Sequence, residues 1–142
     1  MIDIINRQRA RKISAKPLAE FVARLLQLVE RESQDVSIAF VTDPAIKKLN
    51  RQFRGTDYAT DVLSFPNHAE PFELQNETTL GEIVISVDRA AAQAKENGLS
   101  FSNEVEQLIL HGLLHLCGYD HETDHGEMNR LELKLRKKLG IE

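Results

Sequence analysis

The stretch HGLLHLCGYDH, running from His111 to His121, constrains this chain more than any other. Its three histidines fall at offsets zero, four and ten, with Gly118 at offset seven. On a helix, side chains four apart share a face at about 6 Å, so His111 and His115 can offer two imidazoles to one ion. Gly118 can end that helix in a left-handed conformation without steric cost, turning the chain back so that His121 reaches the same ion. Two histidines four apart often mean nothing more than packing. The third, with a turn residue between, makes metal ligation the stronger reading. Three neutral imidazoles and an open fourth position describe a catalytic zinc site, whereas a structural site is closed by four ligands, often cysteines. The expectation is one Zn2+ per chain on His111, His115 and His121, although three imidazoles would also accept nickel or cobalt.

The residue after the first histidine narrows the chemistry. Zinc proteases of the HExxH type carry glutamate there to take a proton from the attacking water, and this chain has Gly112. Peptide hydrolysis by that route therefore lacks its base. Phosphodiester hydrolysis leans more on positioning and charge neutralisation, which a metal ion and an arginine can supply. An arginine stands at the head of RGTDYATDVLSFP, Arg54 to Pro66. Asp57, Thr60 and Asp61 in that stretch each read, taken singly, as turn formers or local caps. Elsewhere, His68 reads as a loop residue and His125 as exposed near the start of the last helix.

Composition sets the bounds. A chain of 142 residues, 42% hydrophobic and 28% charged, fits one domain with a single core, spanning 1–142. No leader pattern and no run of eighteen apolar residues are found, so a cytoplasmic protein without a membrane partner is expected. Cys117, the one cysteine, excludes an internal disulfide and reads as packing. The net charge of −4 argues against binding nucleic acid by bulk charge, yet it is unevenly spread. Met1 to Arg54 holds 11 Lys and Arg against 6 Asp and Glu, and the remainder 7 against 16. Arg7, Arg9, Arg11, Lys12 and Lys16 could track a phosphate backbone, although a solvated loop is the plainer reading.

The elements follow from periodicity. Ile2 and Ile4 alternate in a first strand; Leu18, Phe21, Val22, Leu25, Leu26 and Val29 recur at helical steps after Pro17. A second strand over DVSIAFVT turns Val36, Ile38 and Phe40 to one face. Asp43, as N-cap, and Pro44 open a helix that carries Ile46, Leu49 and Phe53. DVLSF and GEIVISV are two more strands, joined by a long loop with Pro66 and Pro71. Asp88 caps an alanine-rich helix ending at Gly98, and Ser100 or Ser102 opens the histidine helix, whose stripe is Val105, Leu108, Ile109, Gly112, Leu113 and Leu116. Asp124 with Glu127 suggests a capping box for a last helix with Met128, Leu131, Leu135 and Leu139 inward, ending at Gly140. An α+β chain is expected, with one small mixed four-stranded sheet and about five helices, like that of a zinc-dependent hydrolase.

Taken together, RGTDYATDVLSFP, LGEIVIS at Leu80 to Ser86 and HGLLHLCGYDH resemble the YbeY family of bacterial endoribonucleases and ribosomal RNA maturation factors. The resemblance implies a metal-dependent, single-strand-specific endoribonuclease that processes the 3′ end of small-subunit ribosomal RNA and takes part in ribosome quality control. It implies zinc on His111, His115 and His121 and a functional role for Arg54; Glu82 stands where the family often has aspartate. Arg54 and His115 are then the candidate catalytic residues, with Asp61 and Asp120 as candidates to orient an imidazole or take a proton. The expected partners are single-stranded RNA, the small ribosomal subunit, and ribosomal proteins or an assembly GTPase. Two other classes stay open: a metallopeptidase with another base, and a non-catalytic ribosome assembly factor with a structural zinc.

Overall fold

Alternating apolar positions in IDIIN and DVSIAFV produce two strands that pair in parallel, β1 (Ile2–Asn6) and β2 (Asp35–Val41), joined through α1 (Ala15–Leu28). The computed structural model describes residues 1–66, 79–120 and 123–141. Among them the chain continues through α2 (Asp43–Arg54), β3 (Val62–Pro66), β4 (Thr79–Ser86), α3 (Val87–Asn97), α4 (Phe101–Leu116) and α5 (Glu127–Leu139). The sheet order is β1-β2-β4-β3, with β4 parallel to β2 and β3 antiparallel along the edge. The expected α+β class, mixed four-stranded sheet and five helices are all present. Pro71 and His68 lie outside the described residues.

Strand alternation divides the core in two. Val36, Ile38 and Phe40 with Ile83 and Ile85 meet α1 and α4 on one face. Ala39, Val41, Val84 and Leu63 meet Ile46 of α2 on the other. The stripe expected on α4 is buried throughout, from Val105 to Leu116, and each large side chain so covered contributes ~1.5–3 kcal/mol. At Gly81 the β2–β4 register shifts and φ is +151°. A Cβ there would stand 2.5 Å from the Phe65 carbonyl oxygen, so only glycine lets the edge strand close onto β4 beneath α4.

The structure moves several caps by a residue or more. Asp43 is inside α2, which begins after Thr42, and its carboxylate accepts from the Ser86 hydroxyl at 2.6 Å. Ser86, not Asp88, caps α3 by accepting from Arg89 N–H. Asp88 instead accepts the Asp43 N–H at 2.8 Å, capping α2 across space. Two helix starts thus share one network, which single-helix cap rules cannot anticipate. Ser100 caps α4 as expected. The Asp124 box is displaced: its carboxylate accepts from Gly126 and Met128 N–H, and Glu127 accepts from His125 N–H. Phe53, which the α2 helix carries with Ile46 and Leu49, is 59% exposed. The buried stripe of α2 is Ile46 and Asn50, and Phe53 lies past it, its ring edge-on to that of Phe65 on the edge strand at 5.4 Å.

Candidate metal centre and active-site cleft

The C-terminal turns of α4, the edge strand β3 and the segment after α2 enclose a cleft of about 620 Å³. His111, His115, Arg54, Asp61 and Asp120 all line it, so residues 57 positions apart in sequence (111 minus 54) share one space. The Nε2 atoms of His111 and His115 are 3.2 Å apart, with the rings nearly perpendicular. Two Zn–N bonds of ~2.0–2.1 Å at a tetrahedral angle put their donor atoms ~3.3–3.4 Å apart. The pair therefore has the spacing of two ligands on one ion. No group of three His, Cys, Asp or Glu able to hold a metal is found among the described residues. His121, the expected third ligand, lies outside them.

Glu132 of α5 supports the pair from behind. Its carboxylate lies 2.8 Å from His111 Nδ1. That bond, with the carboxylate's charge, raises the imidazole's pKa above its usual value; burial pulls the other way and Asp61 adds to the rise. With Nδ1–H donated to Glu132, Nε2 is the nitrogen that carries the lone pair toward His115. Glu132 was not singled out from the sequence, yet a signal exists: it sits four residues after Met128 and three before Leu135, the two buried residues of α5. A carboxylate on an inward stripe asks for a partner.

The helix stop forms as the glycine implied. Tyr119 N–H donates to Leu114 O and Gly118 N–H to His115 O, the paired bonds of a Schellman motif, with φ at Gly118 of +98°. Gly112 has a different reason for being glycine. A Cβ there would stand 3.1 Å from both Ile83 Cγ2 and Ser64 Oγ. Position 112 thus faces the sheet, and α4 comes close enough for the buried Ser64 hydroxyl to donate to the Gly112 carbonyl at 3.1 Å.

Ser64 also receives Arg54, whose Nη2 donates to the Ser64 carbonyl at 3.1 Å. One residue of β3 therefore links the guanidinium to the histidine helix. Arg54 is exposed and has further N–H donors to direct into the cleft. Asp61 is held locally, its Oδ1 accepting from Val62 N–H at 2.8 Å and from the Thr60 hydroxyl. The Asp120 carbonyl accepts from Thr123 and Asp124 N–H, tying the turn after α4 to the approach to α5. Cys117 stands apart: burial raises its thiol pKa, partly offset by Arg31, which leaves a protonated packing residue. His125 is exposed, as expected. The basic N-terminal loop is remote. Arg11 lies over the Phe101 ring at 5.6 Å, and Phe101 precedes His111 by ten residues, ~15 Å of helix. Among the described residues, no helix is long and apolar enough to cross a membrane.

Known proteins resemble this chain in sequence and in fold. The family described as Endoribonuclease YbeY matches residues 3–140. Endoribonuclease YbeY of Nautilia profundicola is 51% identical over 108 residues, 76% of this chain and 74% of its own length. The protein of the same name from Solibacter usitatus is 42% identical over 134 residues, covering 94% and 86%. The solution structure of TM1509 from Thermotoga maritima superposes with a TM-score of 0.65 at 31% identity, over 98% of this chain and 89% of that one. The cleft that joins α4 to the edge strand is thus borne on a fold and a sequence shared along nearly the whole chain, which belongs to the endoribonuclease YbeY family, a family of nuclease hydrolases.

Proposed function

We propose that this protein is a zinc-dependent, single-strand-specific endoribonuclease that matures the 3′ end of small-subunit ribosomal RNA and serves ribosome biogenesis and quality control in the cytoplasm. One observation carries the reading: two imidazole nitrogens 3.2 Å apart face the same cleft as Arg54. In this reading His111, His115 and His121 hold one Zn2+. When bound, the ion supplies Lewis-acid chemistry at the cleft.

The chain's own residues do the rest. Arg54, pinned by one donor to Ser64, directs its remaining N–H groups at the scissile phosphate and the charge that develops there. Glu132 keeps the His111 ring in the orientation that turns Nε2 into the cleft. Asp61 and Asp120, on the cleft wall, are placed to take or relay a proton. The small ribosomal subunit, ribosomal proteins and an assembly GTPase are the proposed company of such an enzyme.

A paired experiment tests this: metal analysis of the purified protein, and digestion of a single-stranded RNA by the zinc-replete wild type and by Arg54→Ala. The expected outcome is about one zinc per chain in both and cleavage slowed roughly 100-fold or more in the variant, the usual effect of removing one donor to a developing charge. Unchanged cleavage would remove Arg54 from the mechanism. Zinc-replete protein that leaves every RNA intact would favour the assembly-factor reading.

A further inference from the structure

The chain has two tyrosines and no tryptophan, and both tyrosines line the active-site cleft. Tyr58 comes from the segment after α2 and Tyr119 from the turn after α4; they are 61% and 37% exposed. With Phe53 they make three of the five exposed large hydrophobic residues among those described. Aromatic rings normally gain by burial, so two exposed tyrosines on the wall of one cleft point to a ligand with flat apolar faces.

Both rings stand on anchored backbone. The buried Asn50 side chain, 4% exposed, donates from Nδ2 to the Tyr58 carbonyl at 3.1 Å. Tyr119 N–H is tied to Leu114 O at 3.1 Å. A ring displayed on a held backbone loses little conformational freedom when a planar group stacks on it. The same cleft is lined by Arg54, the cation that the ribonuclease reading assigns to the phosphate. A cation with aromatic surfaces on separate walls is the recognition chemistry of an unpaired nucleic-acid strand, in which charge follows the backbone and stacking takes the bases.

We propose that Tyr58 and Tyr119 are the base-stacking surfaces of the cleft, each taking one unpaired base beside the phosphate held at Arg54. The inference rests on the ribonuclease reading and deepens it by giving single-strand preference a physical source. A base inside a duplex has both faces covered by its neighbours, so it has none to offer a tyrosine without first being unstacked.

Fluorescence anisotropy of a labelled single-stranded RNA nonamer, read before cleavage on zinc-replete full-length protein, tests the proposal. Tyr58→Ala and Tyr119→Ala should each weaken binding by roughly 5- to 150-fold, equivalent to ~1–3 kcal/mol per stacked base. Tyr58→Phe and Tyr119→Phe should restore affinity, because the ring face is kept. Scanning an abasic residue along the nonamer should find positions where wild type loses as much, with no added loss in the matching alanine variant. Alanine variants that bind like wild type, or phenylalanine variants as weak as alanine, would overturn the stacking role. A wild type that binds no single-stranded RNA would overturn the ribonuclease reading itself, and this inference with it.

Discussion

At the scale of single residues, the side chain behind His111 decides how that ring is held. Glu132 sits 2.8 Å from His111 Nδ1 and sets which nitrogen faces His115. Replacing Glu132 by Ala should weaken zinc binding 10- to 100-fold, the range for loss of such an outer partner. Glu132→Gln, which keeps an acceptor oxygen but not the charge, should fall between the two. Competition with a chromophoric chelator measures both. Equal affinity in all three proteins would remove Glu132 from the metal centre. His115→Ala is the companion control, and stoichiometric zinc in that variant would contradict the proposed ligand set.

At the scale of elements, the approach of α4 to the β3–β4 edge governs which residues can occupy the histidine helix. Gly112 is buried, with Ile83 and Ser64 only 3.1 Å from where a Cβ would stand. The glutamate of a zinc protease would have no room there, and its carboxylate would be forced against Ile83 without a partner. Gly112→Glu should therefore not produce a peptidase. It should lower stability by ~3 kcal/mol or more, measured by the urea midpoint, with peptide-library digestion as the activity check. The missing base of the motif is thus a consequence of packing as much as of chemistry. The shared caps at Asp43, Ser86 and Asp88 belong to this scale too, since each helix start is completed by a residue of another element.

At the scale of the whole molecule, the two proposed ligands on α4 and the Glu132 support on α5 come from helices that meet in the fold. An ion held there binds the native chain and not the unfolded one. At free zinc 100-fold above Kd, chelation should remove ~2.7 kcal/mol of stability. For a domain of this size that corresponds to a fall of roughly 5–10 °C in Tm. Scanning calorimetry with and without a chelator reads it directly, and an unchanged Tm would mean that the His111–His115 pair holds no ion.

The sequence by itself determined the α+β class, each strand and helix among the described residues, and the pairing of His111 with His115. These follow from short-range rules: alternation, helical steps and a glycine stop all act within a few residues. It also pointed to Arg54, through the chemistry that Gly112 leaves wanting. Only the tertiary structure decided that Arg54, His111 and His115 share a cleft, that Ser64 links Arg54 to their helix, that Glu132 stands behind His111, and that Tyr58 and Tyr119 border the same space. It likewise turned Phe53 outward and moved the caps of α2 and α3. Each of these depends on how far one element reaches over another, a distance that periodicity within a single element does not contain.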